Sequence, residues 1–188
     1  MSNQAAIERR QFYRVSDRAL VDIRVLNHID DDAESQFDLT PTFSVLREFH
    51  QLDVESNHLL RQITDKDKSL GSYLKSLNAK LDALARGVAL NNRSIDESKL
   101  SDINLSEGGI SISVDQAIAT NSAVAIQFLL IPSFTSLILK GRVINVENKQ
   151  DELTVHIQFY ALDSFNQQLI ARHIIRKQSR DRKVTLIK

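Results

Sequence analysis

Two hydrophobic periodicities follow one another along this chain, and their order restricts the folds that it can adopt. In residues 19–27 apolar side chains recur at every second position, as in a strand with one buried face. Between Ser44 and Ala89 the spacing changes to the 4-3 alternation of helices with an apolar stripe. After Asn91 the two-residue period returns. The pattern predicts a β domain that is interrupted by a helical insertion.

The insertion contains two apolar stripes. The stronger one consists of five leucines and one valine, Leu70, Leu74, Leu77, Leu81, Leu84 and Val88. At 1.5 Å per residue it is about 28 Å long. The stripe before it consists of Val45, Phe49, Leu52, Ser56, Leu59 and Ile63, and it is out of phase by one residue across positions 65–68. We therefore predict two helices within roughly residues 40–90, with a joint between them, and with Thr40 as the N-cap and Pro41 as the first residue of the first helix.

The segments after the insertion have the texture of short strands. Apolar and polar residues alternate in 99–106, 110–114, 124–130, 138–146 and 153–159. Closely spaced strands of this kind are typical of a small antiparallel barrel. Asp163 is expected to cap a last helix that covers one barrel mouth with Phe165, Leu169, His173 and Ile174. The predicted fold class is mainly β: a single domain over residues 1–188, with the helical insertion between its first and second strands and a helix at its C-terminus.

Composition argues against several classes of function. The chain has no cysteine, which excludes disulfides and thiolate metal sites and makes the reducing cytoplasm the expected compartment. Lysine plus arginine and aspartate plus glutamate balance at 24 each, which argues against a nucleic-acid binder. No apolar run has the 18 or so residues of a membrane span. The five histidines lack metal-ligand spacing, and most of them are expected at surface or boundary positions. No catalytic constellation is visible, so we predict no catalytic residue, no metal and no cofactor.

Two arginines near the N-terminus form an R-x-x-x-R motif. Arg10 and Arg14 lie in the segment ERRQFYRV, which also contains Arg9. The planar arginine fork donates paired hydrogen bonds to phosphate oxygens or to the O6/N7 edge of guanine. In a straight strand two side chains four residues apart would be separated by about 13 Å. We therefore expect a flexible N-terminal arm that curls around a ligand, although a solvated basic arm is the alternative for this motif alone.

A second motif, N-x-S-x-x-G, follows about ninety residues later in the segment NLSEGG. Asn104 and Ser106 share the outer face of a strand if their apolar neighbours point inward. Gly108 and Gly109 permit a tight turn and a close approach of the backbone to a ligand, and Gly109 is expected in a conformation open mainly to glycine. Taken alone, the segment could be an ordinary hairpin.

Together and in this order, the two motifs resemble the signature of PilZ domains, bacterial β-barrel modules that bind the second messenger cyclic di-GMP. The resemblance implies a non-enzymatic receptor that passes a signal to a downstream protein. It also implies that the nucleotide is bound by Arg9, Arg10, Arg14, Asn104, Ser106, Gly108 and Gly109. Some members of the family serve as interaction modules without the nucleotide, so an oligomeric scaffold in pilus or flagellar function is the alternative.

The long insertion resembles that of the tetrameric subgroup of PilZ proteins, in which inserted helices assemble four chains. This implies a homo-oligomer, a tetramer, whose interface is the stripe from Leu70 to Val88. Leucine at both core positions of a heptad does not choose between dimer and tetramer, so the number four comes from the resemblance alone. An intrachain alternative, in which the helical hairpin folds back on the barrel, stays open. The sequence identifies neither the downstream partner nor the number of nucleotides bound.

Overall fold

A computed structural model describes residues 13–91, 99–131, 133–149 and 152–185 of the chain. Its elements follow the predicted order of one strand, two helices, five strands and a last helix. They are β1 (Arg14–Val25), α1 (Pro41–Lys66), α2 (Lys68–Asn91), β2 (Leu100–Ser106), β3 (Gly109–Val114), β4 (Ala123–Leu130), β5 (Thr135–Lys149), β6 (Glu152–Tyr160) and α3 (Ser164–Thr185), with one turn of 3-10 helix at Glu34–Gln36.

The six strands form a closed antiparallel barrel in the order β1-β2-β3-β6-β5-β4. Strand β1 closes it, because its first half pairs with β2 and its second half pairs with β4. The predicted barrel with a helical insertion after its first strand is therefore confirmed. The strand begins at Arg14 and not at residue 19, so the expectation that Arg14 lies on a flexible arm is wrong. Pairing with β2 buries Val15 and Ala19, and this burial favours the longer strand.

Helix α3 covers one mouth of the barrel. The Asp163 carboxylate accepts a hydrogen bond from the Asn166 amide at 2.7 Å, as expected of an N-cap. Leu169, Ile170 and Ile174 are buried in the same apolar cluster as the inward side chains of the strands. His173 is only 1 % exposed, as expected of a helix residue that covers the barrel mouth.

Helices α1 and α2 form an antiparallel hairpin whose joint is Asp67. Thr40 accepts a hydrogen bond from the Phe43 amide, as predicted for the N-cap of α1. The Asp67 carboxylate in turn accepts from the amides of Ser69 and Leu70, both at 2.9 Å, and so caps α2. Gly71 lies against Thr64 beside the joint, in a space that would not admit a Cβ.

At its other end the hairpin rests on the barrel and on α3. Leu46 of α1 is buried with Leu129 and Phe134, and Ala85 of α2 packs against this cluster. Arg172 of α3 forms an ion pair with Asp53 of α1, with 3.3 Å between Nη1 and Oδ2. The base of the hairpin is thus held by the same chain, as the intrachain alternative requires.

The two predicted stripes nevertheless remain on the outside of the hairpin. The inward face of α1 consists of the residues that follow each stripe position by one. Leu46, for example, packs against the barrel and α2, and Thr64 packs against Gly71 of α2. Ile63 and Leu74 are half-buried, and the side chain of Val88 lies outside the described residues. The exposed stripe residues are Val45, Phe49, Leu52 and Leu59 on α1 and Leu70, Leu77, Leu81 and Leu84 on α2, with 39 to 66 % of each exposed.

Candidate nucleotide-binding site

The pairing of β1, β2 and β3 brings the two sequence motifs together. Arg14 on β1 lies opposite Ser106 on β2, and Ser106 lies opposite Gly109 on β3. Two residues further along β1, Ser16 is opposite Asn104. Directly opposite residues in an antiparallel pair have Cα atoms about 4.5–5.5 Å apart. Residues that are about ninety positions apart in the sequence therefore form one continuous patch.

This patch is on the outer face of the barrel. Val15, Leu105 and Ile110 are buried inside, so the alternating neighbours of these residues face outward. Arg14 is exposed and Asn104 is half-buried. Ser106, in contrast, is only 6 % exposed, and its hydroxyl donates to the Gly109 carbonyl at 3.2 Å. The outer position predicted for Ser106 is correct, but its side chain ties the β2–β3 hairpin together.

Gly109 is required for a different reason from the one expected. None of the described glycines has a positive φ. The expectation that Gly109 adopts a backbone conformation open mainly to glycine is therefore wrong. Instead, a Cβ at this position would collide with the carbonyl oxygen of Ile157 on β6. The close approach between β3 and β6 therefore excludes a side chain at this end of the patch.

Asn104 carries a buried acceptor that is not satisfied. Its Oδ1 accepts no hydrogen bond within the part of the chain that the structure describes. Ser111, the residue opposite Asn104 on β3, already has a partner: its hydroxyl forms a 2.8 Å hydrogen bond with Nδ1 of His156. A buried polar atom without a partner costs about 1–3 kcal/mol. The amide oxygen of Asn104 thus lacks a hydrogen-bond donor within the described residues.

A cleft of about 570 Å³ opens beside the patch, between β1 and α3. Its strand wall is formed by Tyr13, Arg14, Val15 and Ser16, and its helix wall by Gln178, Asp181 and Arg182. The volume is within the range of about 300–1,000 Å³ that is usual for small-molecule sites. Separately, an apolar groove of about 230 Å³ lies between β1, β4 and the start of α1, and it contains no residue of either motif.

A buried polar cluster fixes β1 against α3 next to the cleft. The Asp17 carboxylate lies 2.6 Å from Nε2 of His173 and 3.6 Å from Nζ of Lys177. Burial would raise the pKa of Asp17, but hydrogen bonds from His173 and from the Arg18 amide and the charges of His173 and Lys177 outweigh it, so this pKa lies below its usual value. Sequence reasoning missed this cluster. The signal was a carboxylate at an inward strand position between Val15 and Ala19, where only a paired charge is tolerated.

The remaining predicted residues are placed as follows. Gly108 lies in the turn between β2 and β3. Arg9 and Arg10 lie outside the described residues, so their proximity to the patch stays a prediction.

In the described part of the chain, no group of three or more histidine, aspartate or glutamate side chains could hold a metal ion. Nor does any described helix have the length and apolar character to span a bilayer.

Comparisons with known proteins agree with this architecture. Residues 89–176, which contain β2 to β6 and the first half of α3, match the family model of the PilZ domain. No curated protein sequence matches the chain. Among solved structures, the chain is similar to a tetrameric PilZ domain protein of Xanthomonas campestris that self-assembles through a helical bundle. The TM-score is 0.56 at 16 % identity, with 92 % of this chain and 89 % of that one covered, so the shared fold includes the inserted helices.

Two further structures are similar over smaller regions. One is YcgR of Escherichia coli in complex with c-di-GMP, with a TM-score of 0.42, 12 % identity and coverage of 47 % of this chain and 40 % of that one. The other is MotI of Bacillus subtilis, an inhibitor of motility, with a TM-score of 0.39, 20 % identity and coverage of 43 % and 41 %.

Proposed function

We propose that this chain is a non-enzymatic receptor for cyclic di-GMP, because its residues 89–176 match the PilZ domain. The nucleotide binds on the outer face of the barrel, at Arg14, Asn104, Ser106 and Gly109, with Arg10 as the other arginine of the R-x-x-x-R motif. The single observation that supports this most is the strand register, which sets Arg14 opposite Ser106 and Ser106 opposite Gly109.

The chemistry of these positions suits a cyclic dinucleotide. The exposed guanidinium of Arg14 can donate paired hydrogen bonds to a phosphate or to the O6/N7 edge of a guanine. The unsatisfied Oδ1 of Asn104 needs a donor, and the N–H groups of guanine supply one. Gly109 completes this end of the patch, where the Ile157 carbonyl oxygen occupies the position that a Cβ would take.

Titration calorimetry with cyclic di-GMP tests the proposal. Arg14→Ala is expected to weaken binding at least about tenfold, because a charged hydrogen bond contributes on the order of 1.5–3 kcal/mol. Arg24→Ala is the matched control, since Arg24 lies on the outer face of the same strand and pairs with Asp22 at the surface. Wild-type protein that binds no cyclic di-GMP, or equal affinities of the two variants, would contradict the proposal.

Binding also gives the receptor a way to signal. A cyclic dinucleotide carries two phosphates and two bases, so its arrival replaces an exposed basic patch by an anionic surface with large aromatic groups. A downstream protein that contacts this side of the barrel therefore meets a different surface in the bound state. We propose transmission of the signal to such a protein partner.

We further propose that the chain is a homo-oligomer, a tetramer, assembled through its helical hairpin. On each helix the exposed stripe lies one residue before the face that contacts the other helix. One residue corresponds to a rotation of roughly 100° around the helix axis. Because the helices are antiparallel, both stripes lie on the same side of the hairpin. Contiguous apolar surface of this kind marks an interaction site, and the fold is shared with a tetrameric PilZ protein.

The apolar hairpin face also favours a second candidate function, an oligomeric scaffold that works without nucleotide. Its leucines are on the hairpin and not on the β1–β3 patch, so assembly does not require cyclic di-GMP. The same calorimetry distinguishes the two functions. A wild-type oligomer that fails to bind cyclic di-GMP would be a scaffold.

A further inference from the structure

We infer that α3 supplies a further ligand-binding residue, Arg182, which pairs with a phosphate of the bound nucleotide from the wall of the cleft opposite Arg14. This inference rests on the proposed function and goes beyond the two sequence motifs. It makes the nucleotide a bridge between β1 and α3.

The cleft is continuous with the candidate site. Two of its strand-wall residues, Arg14 and Ser16, are the direct β2 partners of Ser106 and Asn104. A ligand that contacts Asn104 and Ser106 on the barrel therefore borders the cleft at Arg14 and Ser16. Cyclic di-GMP is larger than the spacing of two strands, about 4.8 Å, and must extend beyond the patch. The cleft is the adjoining space in which a residue of α3 can reach it.

Charge identifies Arg182 as the residue that faces a phosphate. Arg14 and Arg182 are on opposite walls, both are exposed, and neither forms an ion pair with the described carboxylates. Asp181, the acidic residue among the described residues that line the cleft, lies 3.5 Å from Nζ of Lys177, so a cation already offsets its charge. A dianionic ligand between two guanidinium groups gains an attractive partner on each side.

The helix wall is held in a fixed position relative to the strand wall. His173 and Lys177 of α3 both contact Asp17, which is three residues after Arg14 on β1. Arg182 follows His173 by nine residues, a distance of about 14 Å along the helix. The same buried cluster therefore positions both walls before the ligand arrives, and preorganisation of this kind reduces the free-energy cost of binding.

The test compares Arg182→Ala with Arg180→Ala by calorimetry with cyclic di-GMP, using the full chain. Arg180 is equally exposed on α3 but does not line the cleft, so both variants change the net charge by the same amount. We expect Arg182→Ala to weaken binding about tenfold and Arg180→Ala to change it less than twofold. Arg182→Lys keeps the positive charge and should recover part of the lost affinity. Circular dichroism of each variant verifies that α3 is intact.

The outcomes separate this inference from the proposed function. If Arg14→Ala weakens binding while Arg182→Ala behaves like Arg180→Ala, the nucleotide is bound by the barrel alone and the role of Arg182 is refuted. If the wild type binds no cyclic di-GMP, both are refuted. A large loss in Arg182→Ala with no loss in Arg14→Ala would keep the α3 site and overturn the strand site.

Discussion

Asp17 on β1 and His173 on α3 form a buried hydrogen-bonded pair, with 2.6 Å between Oδ2 and Nε2 and side chains that are 7 % and 1 % exposed. The other ring nitrogen of His173 lies 3.0 Å from the hydroxyl of Ser133, which itself accepts from Thr135. The imidazole therefore joins the first strand, the entry to β5 and the last helix. The pair holds the helix that closes the barrel next to the candidate nucleotide site.

Stability is expected to fall in acid because of Asp17. The pKa of Asp17 in the folded protein lies below the ordinary value of 3.8. A carboxylate with a lowered folded pKa stabilises the fold above its unfolded pKa, and this contribution is lost as the pH falls through the folded pKa. Urea denaturation of the wild type should therefore show a loss of stability below about pH 4.

The substitution Asp17→Asn isolates this contribution. A hydrogen bond to a charged group contributes about 1.5–3 kcal/mol, so the variant without the carboxylate should be less stable at pH 7 and its stability should depend less on pH in acid. Asp22→Asn is the control, because Asp22 pairs with Arg24 on the exposed face of the same strand. A denaturation midpoint for Asp17→Asn equal to that of the control would show that the cluster does not hold the fold.

Asn104→Ala should separate binding from stability. The Oδ1 atom of Asn104 is buried without a partner in the described structure, so its removal gives up no hydrogen bond of the unliganded protein. We expect a melting temperature close to wild type and an affinity for cyclic di-GMP reduced about tenfold. Ser106→Ala provides the contrast, since it loses the bond to the Gly109 carbonyl and should cost roughly 0.5–1.5 kcal/mol of stability. Unchanged affinity of Asn104→Ala would remove this residue from the site.

Gly109→Ala should destabilise the barrel by about 1–3 kcal/mol or more, because the added methyl group collides with the Ile157 carbonyl on β6. Gly87→Ala is a matched control: a Cβ at this helical position meets nothing within 4 Å. Alanine also has the higher helix propensity, by up to about 1 kcal/mol, so the control should melt no lower than wild type. Equal melting temperatures of the two variants would contradict the close approach between β3 and β6.

Leu77→Asp combined with Leu84→Asp should dissociate the oligomer while leaving each chain folded. Both leucines are exposed in the single chain, so the substitutions bury no charge there, but they would place charges in a shared interface. Ser76→Asp combined with Ala83→Asp is the control, with the same charges and spacing on exposed positions away from the stripe. Light scattering measures the mass of each. A wild type that is monomeric at tens of micromolar would refute assembly through the hairpin.

The sequence by itself determined the architecture and the identity of the motifs. Alternation in the strands, the 4-3 spacing in residues 45–88 and the Thr40 and Asp163 caps depend on local geometry, so each could be predicted from neighbouring residues. The chemistry of the motifs could also be predicted, because the hydrogen-bonding groups of arginine and asparagine and the missing Cβ of glycine do not depend on the fold.

Only the tertiary structure decided how these parts meet. The register that sets Arg14 opposite Ser106 depends on pairing between distant segments, and so do the collision that excludes a side chain at Gly109 and the contact between Asp17 and His173. Local patterns do not encode the partner of a strand or the face that a helix turns inward. For the same reason the leucine stripe was visible in the sequence, whereas the set of positions that α1 and α2 turn toward each other, one residue after the stripe, was not.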